Sequence, residues 1–276
     1  MLLDNIVKDT TRLFKEKGLE NPALDAEVLI SYALNIDRYK LVSHRDRILN
    51  DKEIYRIKKY TARRLKFEPV AYIIGVKEFY SLEFIVNKDV LIPRPETELL
   101  VDMAIYWGET NGTVLDLCTG SGAIAVALKY NRQDLDIYAS DISDKALKTA
   151  RKNANNILGQ KKIKFFEGDI FSPFKGLKFN MIVSNPPYID VNLKGKLQKD
   201  LSFEPESALF TENHGKKIIE EIIKTSTNYL KDNCVLLLEI GSDQQDFVRS
   251  KGKKHGFTVS ILNDYAGLPR VAVLRH

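Results

Sequence analysis

The sequence predicts an α/β fold, a doubly wound sheet preceded by a small helical domain. Three observations carry this. From Thr113 onward, short apolar runs alternate with helical stretches, the pattern of parallel strands joined by crossover helices. A glycine turn, Gly120-Ser121-Gly122, follows the first of those runs directly. The first third of the chain shows a helical period and no strand signal.

The elements follow in order. Leu3, Ile6, Val7, Thr10, Leu13 and Phe14 lie on one helical face, and Gly18 stops that helix. Asn21-Pro22 reads as an N-cap and a first-turn proline, opening a helix through Ala26, Leu29, Ile30 and Ala33. A third long helix starts near Asn50 or Asp51 and reaches about Lys66. Val76–Tyr80 and Glu83–Val86 alternate as a hairpin would, and Pro95-Glu96-Thr97-Glu98 opens a helix with acids in its first turn. Strands are expected near 113–117, 136–140, 162–166, 179–184, 233–240, 257–262 and 270–275. The division expected is a helical substrate-docking domain at 1–74, a hairpin connector at 75–90 and a catalytic domain at 91–276.

Composition narrows the class. At 276 residues the chain can bury a sizeable core. No apolar stretch approaches eighteen residues, so no membrane association is expected. The N-terminus, Met1-Leu2-Leu3-Asp4-Asn5, reads as neither a secretory signal nor a transit peptide. Two cysteines, Cys118 and Cys234, with no Cys-x-x-Cys suit a reduced, cytoplasmic setting. The four histidines show no metal-ligand spacing, and no metal site is expected.

Asn185-Pro186-Pro187-Tyr188, directly after the run Met181–Ser184, is the most informative segment. The Asn185 side-chain oxygen accepts hydrogen bonds, and the two prolines lack N–H groups, so this backbone stretch can only accept. Each proline also holds the residue before it extended. Tyr188 adds a flat face. These groups suit gripping a planar NH2 by both hydrogens.

The ligand opposite is indicated upstream. Thr113–Leu117, then Cys118-Thr119-Gly120-Ser121-Gly122, then Ala123–Leu128 read as strand, turn and helix, a nucleoside- or phosphate-binding arrangement. Asp141, about twenty residues on at the next strand end, suits ribose hydroxyls. Asp116, Asp141 and Asp169 near one crevice suit a ligand with ammonium and sulfonium charges. They suit a dinucleotide pyrophosphate poorly, because like charges repel. S-adenosylmethionine therefore fits better than NAD.

Leu115–Gly122, Asp141-Ile142-Ser143 and Ile182–Ile189 resemble the class I methyltransferase motifs of the release-factor glutamine methyltransferases. So do Pro69–Gly75, Glu78-Phe79-Tyr80, Leu91–Glu98, Leu238-Glu239-Ile240-Gly241 and Asp264–Arg270, so the resemblance spans about the whole chain. It implies a seven-stranded class I methyltransferase sheet and transfer of methyl from S-adenosylmethionine, with S-adenosylhomocysteine as product. The acceptor implied is the side-chain amide nitrogen of the Gly-Gly-Gln glutamine in class I peptide-chain release factors, which supports translation termination. Carried onto this chain, the catalytic residues are Asn185, Pro186 and Tyr188. The substrate contacts are Asn185, Pro186, Pro187 and Tyr188. The cofactor contacts are Cys118, Thr119, Gly120, Ser121, Gly122, Asp141, Ile142, Asp169, Ile170 and Asn185. Two departures stand out: Cys118 replaces a frequent glycine, and Ala208–Gly215 lacks the usual Gly-Gly after the phenylalanine.

One charge feature remains open. Lys52, Arg56, Lys59, Arg63 and Lys66 form a stripe on the third helix, and residues 45–66 hold nine basic against three acidic residues, more than the whole chain's excess of +5. It is either a solvated face or a docking surface for an acidic protein or RNA. Three other readings compete: an adenine-N6 methyltransferase on DNA or RNA, an NAD-dependent oxidoreductase, and a non-enzymatic RNA-binding module. No target-recognition domain is apparent, and no stable nucleic-acid binding is expected.

Overall fold

The computed structural model of the protein describes residues 1–160 and 162–275. The chain separates into two units, Met1–Val76 with Gln198–Phe203, and Lys77–Leu197 with the chain from Glu204 onward.

The first unit is helical. It comprises α1 (Leu3–Glu16), α2 (Pro22–Leu34), α3 (Lys40–Ser43), α4 (Asp51–Arg64) and α5 (Val70–Ile74). In α1 the buried positions are Leu3, Ile6, Thr10 and Phe14. Leu13 lies one residue off that stripe and is exposed, contrary to the face expected from sequence. Gly18 takes φ +77° just after α1. A reciprocal cap opens α4: the Asn50 side chain accepts from Glu53 N–H and Glu53 accepts from Asn50 N–H, both at 3.0 Å.

The basic stripe is only partly free. Lys52, Arg56, Lys59 and Lys66 are exposed. Arg63 instead donates to both oxygens of Glu68 and to the carbonyls of Tyr72 and Ile73. Arg47 pairs with Glu53. Arg64 is 5% exposed and bridges Asp25 at 2.7 Å and Asp200 at 2.9 Å. That bridge explains why 198–203, placed by sequence inside the 91–276 span, packs with the helical unit.

The second unit begins with a hairpin, β1 (Val76–Phe79) and β2 (Leu82–Ile85). Its turn residues Tyr80 and Ser81 both have positive φ, 54° and 58°, which matches the right-handed twist of a two-residue hairpin. Tyr80 is held there: its N–H donates to Glu98 and its hydroxyl to Asp102. A 3-10 turn at Pro95–Thr97 leads into α6 (Glu98–Trp107).

The sheet region follows as β3 (Thr113–Leu117), α7 (Ala123–Asn131), β4 (Asp136–Asp141), α8 (Asp144–Leu158), β5 (Lys164–Glu167), β6 (Phe179–Ser184) and β7 (Ile189–Asp190). Next come α9 (Glu206–Leu209), β8 (Phe210–Thr211), α10 (Glu212–Gly215), α11 (Lys217–Ser226), β9 (Leu230–Glu239), α12 (Gln245–Lys254), β10 (Thr258–Asn263) and β11 (Pro269–Arg275). Among the described residues, seven strands form the main sheet in the order β10-β11-β9-β6-β3-β4-β5. β11 runs antiparallel to both neighbours, and the strands from β9 to β5 are parallel.

Successive strand residues face opposite sides. Val114, Val183 and Leu237 join the core with α6 and α7, whereas Leu115, Ile182 and Leu236 join Ile219, Ile222 and Val248 of α11 and α12. Among the described residues no helix is long and apolar enough to cross a membrane.

The Arg64 bridge yields a stability test. Asp25 is kept above the ordinary carboxylate range by burial, against the pull of Arg64. Arg64→Met should destabilise the helical unit by about 3 kcal/mol, because it leaves the half-buried Asp25 and Asp200 without their buried partner. Denaturant unfolding followed by far-ultraviolet circular dichroism measures this. A change under about 0.5 kcal/mol, the surface-substitution range, would mean that the bridge adds nothing.

Candidate active site

The parallel strands β3, β4 and β6 end at one level: Leu117 pairs with Ser140 on one side and with Ser184 on the other. Cys118, Asp141 and Asn185 therefore leave the sheet side by side. Two bonds lock this edge. Thr119 N–H donates to the Ser140 carbonyl at 2.9 Å, and the Ser184 hydroxyl donates to the Leu117 carbonyl at 2.8 Å.

The turn after β3 is built on left-handed residues. Cys118, Gly120 and Gly122 have φ of 59°, 55° and 81°. A side chain at Gly120 would project into open space, whereas one at Gly122 would press on Ala150 of α8. Gly120 thus exposes its backbone to the crevice and Gly122 lets two helices approach. Cys118 holds, without glycine's freedom, a conformation that costs a cysteine on the order of 1 kcal/mol. Burial pushes its thiol pKa well up, and Asp141 adds to this, so it stays neutral.

Asp141 is oriented by backbone donors. Its carboxylate accepts from Gly120 N–H and Ser143 N–H, each at 2.9 Å. Burial raises its pKa and these backbone bonds oppose the rise. Asp116 behaves differently from its expected place in the crevice. It is fully buried, takes bonds from the Thr119 hydroxyl and Ala125 N–H through Oδ2, and leaves Oδ1 unpartnered. Alternation along β3 turns it to the α6 and α7 side of the sheet.

A cavity of about 260 Å³ opens at these strand ends. Cys118, Gly120, Asp141, Ile142, Asp169, Ile170, Asn185 and Pro187 line it, so the structure brings these sequence candidates together. Thr119, Ser121, Gly122, Pro186 and Tyr188 do not line it. Thr119 is tied to Asp116, the Ser121 carbonyl to Asn153, and Gly122 is packed under α8; they build the turn from behind. Asp89 supplies a third lining carboxylate in place of Asp116.

Two walls of this cavity were not named residue by residue from sequence, although the long Asn185–Asn213 connection reads as a substrate-facing loop. One is Asp89-Val90-Leu91; the other includes Pro205, Ser207, Ala208, Phe210 and Thr211. Glu204, 5% exposed, clamps them together by accepting from Ile92 N–H at 3.0 Å and pairing with Arg94. The segment Arg94-Pro95-Glu96-Thr97 carried the signal, as an arginine among prolines with no helical reason to be there.

The tetrapeptide presents acceptors. The Asn185 Nδ2 donates to Thr97 Oγ1 at 3.2 Å, which turns Asn185 Oδ1 the other way. Among the described residues, no group donates to Asn185 Oδ1 or to the Pro186 carbonyl. The Tyr188 hydroxyl donates to Glu239 Oε1 at 3.1 Å, so it is engaged behind the site. Burial and Glu239 push the phenol pKa up, and the group remains a donor.

The loop behind Tyr188 is equally constrained. The Tyr188 carbonyl accepts from Gln244 Nε2 at 3.0 Å, and a Cβ at Gly215 would lie 2.1 Å from it. Asn213 and His214 take φ of 56° and 54° just before Gly215 at 76°. The left-handed turn is therefore made here without the Gly-Gly pair that the resemblance leads one to expect.

Fold and site together define a class I methyltransferase. A Pyrococcus furiosus methyltransferase is similar in structure, with a TM-score of 0.55 at 15% identity, covering 79% of this chain and 98% of that one. A family model described as the methyltransferase small domain matches residues 96–201, and one described as the PrmC N-terminal domain matches residues 5–75. A release factor glutamine methyltransferase from Leptospira interrogans is 40% identical over 98% of this chain and 96% of its own length. Another, from Neisseria gonorrhoeae, is 42% identical over 91% and 93%. The chain belongs to the release factor glutamine methyltransferase family.

Asp116 gives the site a pH signature. Desolvation dominates the opposing bonds from Thr119 and Ala125, and with Asp141 nearby the pKa is pushed up to about 7. Between roughly pH 4 and 7 the native state then keeps a proton that the unfolded chain has released, so stability falls as pH rises through that window. Asp116→Asn keeps the acceptor for Thr119 and cannot titrate. Its stability should fall less steeply across the window than that of the wild-type protein in urea titrations at stepped pH. Identical slopes would show that Asp116 ionises normally.

Proposed function

We propose that this cavity binds S-adenosylmethionine and that the chain methylates the side-chain amide nitrogen of the Gly-Gly-Gln glutamine in class I peptide-chain release factors, in the cytoplasm. The observation that carries the reading is a pair of free acceptors, Asn185 Oδ1 on a residue that lines a nucleoside-sized cavity and the carbonyl of Pro186 next to it in the chain. The names of the relatives at 40% and 42% identity support the choice of substrate.

The residues present fit the cofactor. The open space at Gly120 admits a ligand close to the backbone. The Asp141 carboxylate, fixed by two N–H bonds, suits a ribose diol, and the lining carboxylates Asp89 and Asp169 suit positive charge. When bound, the cofactor supplies an electrophilic methyl group on a sulfonium sulfur. Ile142 and Ile170 contribute apolar wall.

The chain's own task is to make an amide nitrogen reactive. Its lone pair is delocalised into the neighbouring carbonyl. Asn185 Oδ1 and the Pro186 carbonyl accept its two N–H hydrogens, orient the nitrogen and stabilise positive charge as the new bond forms. Pro187 has no N–H to compete. Tyr188 steadies the tetrapeptide through Glu239. Proton loss follows methyl transfer, since the alkylated amide cation is strongly acidic, and no dedicated base is required.

Two substitutions test separate halves of this reading. Asp141→Ala should weaken cofactor binding by about 1.5–3 kcal/mol, the range of charge-assisted hydrogen bonds, as read by calorimetric titration. Unchanged affinity would remove Asp141 from the cofactor site. Asn185→Ala should lower single-turnover methyl transfer to a folded release factor by about 10²–10³-fold at saturating cofactor. Near-normal transfer would reduce the tetrapeptide to a structural turn. Label found in adenine, with the release factor unlabelled in the same reaction, would move the assignment to nucleic acid.

A further inference from the structure

Behind Asn185 lies a buried polar pair that the chemistry above does not use. Thr97 is 4% exposed and Glu239 1% exposed. The Thr97 oxygen accepts from Asn185 Nδ2 at 3.2 Å, which commits one of its lone pairs. No other described group takes the Thr97 hydroxyl proton. Glu239 accepts from the Tyr188 hydroxyl through Oε1, and its Oε2 is buried with no hydrogen-bond partner. The Thr97 hydroxyl sits beside this carboxyl and draws its pKa down. A buried donor without an acceptor therefore stands next to a buried acceptor without a donor, and burial leaves each no other partner.

Resting on the functional reading above, we propose that Thr97 and Glu239 are positioning residues that set which end of the Asn185 amide faces the substrate. An ionised carboxylate can only accept. It takes the Thr97 proton, so Thr97 can offer Asn185 only a lone pair. Asn185 must then turn its NH2 to Thr97 and its oxygen to the substrate amide. Polarity thus runs in one direction from Glu239 through Thr97 and Asn185 to the substrate NH2. Oxygen and nitrogen of an asparagine side chain fill almost the same space, so shape alone does not choose between them.

A flipped Asn185 would present N–H to N–H and repel the substrate. A neutral Glu239 can donate, and the direction is then no longer enforced. The groups facing Glu239 are Thr97 and Glu96 from the turn before α6, Tyr188 after β6, and Arg270 on β11. Desolvation raises its pKa; Thr97, Arg270 and Tyr188 oppose the rise, and Glu96 adds to it. The rate of methyl transfer is accordingly lost as pH falls through this raised value.

The test uses near-isosteric changes. Glu239→Gln keeps an acceptor for Tyr188 but offers Thr97 an N–H donor; Thr97→Val removes the oxygen; Thr97→Ser retains it. Glu239→Gln and Thr97→Val should each lower the single-turnover rate by about 10²-fold, the scale of a misaligned reacting group. Cofactor affinity should stay near wild type, Thr97→Ser should stay within about threefold of wild type, and the acid limb of the pH profile should vanish in Glu239→Gln. Wild-type rates in Glu239→Gln or Thr97→Val, with Asn185→Ala inactive, would overturn this inference while leaving the functional reading intact. Hydrogen exchange of the Asn185 side-chain amide, followed by NMR without substrate, gives an independent readout. It should be slow in wild type and faster in Thr97→Val. Equal rates there would refute the Thr97 bond even if the substrate assignment failed.

Discussion

The register of the parallel strands is the constraint on which the site depends. Leu117, Ser140 and Ser184 pair at one level across β4, β3 and β6, and Asp141 pairs with Glu167 on β5. Side-chain direction alternates along a strand, so a slip of one residue would reverse every face. Such a slip on β6 would turn Ile182 out of the core layer it shares with Leu236 of β9 and move Asn185 away from the Gly120 turn. Parallel pairing itself requires the crossover helices α7 and α8. The apolar layers on both sides of the sheet thus fix the site before any polar contact is counted.

Much of this frame was legible in the chain. The strands show as apolar runs because both faces of a parallel sheet are covered; β3 is expected at 113–117 and observed there. The start of α4 near Asn50 and the proline at the start of α2 were legible because such signals are local chemistry, although Asn21, read as an N-cap, makes no side-chain cap bond. What was illegible depends on distant partners. Residues 198–203 join the helical unit through Arg64 and Asp200, a contact that no local pattern announces. The basic stripe loses Arg63 to Glu68 and two carbonyls for the same reason.

The cavity divides along the same line. Gly120, Asp141 and Asn185 sit at strand ends, where sequence order implies spatial proximity. The walls at 89–91 and 205–211 are a turn and short elements without a long period, and Arg94 and Glu204 bring them together. Asp116 and Glu239 offered a subtler signal. Each is an acid in or at the end of a buried apolar run, Val114–Leu117 of β3 and Cys234–Glu239 of β9, where a solvated carboxylate has no place. Such a residue is either paired inside the protein or serves a ligand, and sequence alone placed Asp116 on the wrong side of that choice.

Both buried carboxylates impose a cost, because burial disfavours the charged form; both have raised pKa values with desolvation as the leading cause. Neither is matched by a salt bridge among the described residues. A general base would be better placed in the cavity, at the nitrogen itself, and the amide chemistry does not call for one. The demand of that chemistry is polarity: every group around the NH2 must accept. Proline satisfies it covalently, by having no N–H. Asparagine cannot, because its two ends are nearly equal in shape and opposite in polarity. An acceptor-only group behind it resolves the ambiguity, and a carboxylate is the side chain that supplies acceptors without donors. The stability lost in burying Glu239 is then exchanged for a single orientation of the residue that meets the substrate.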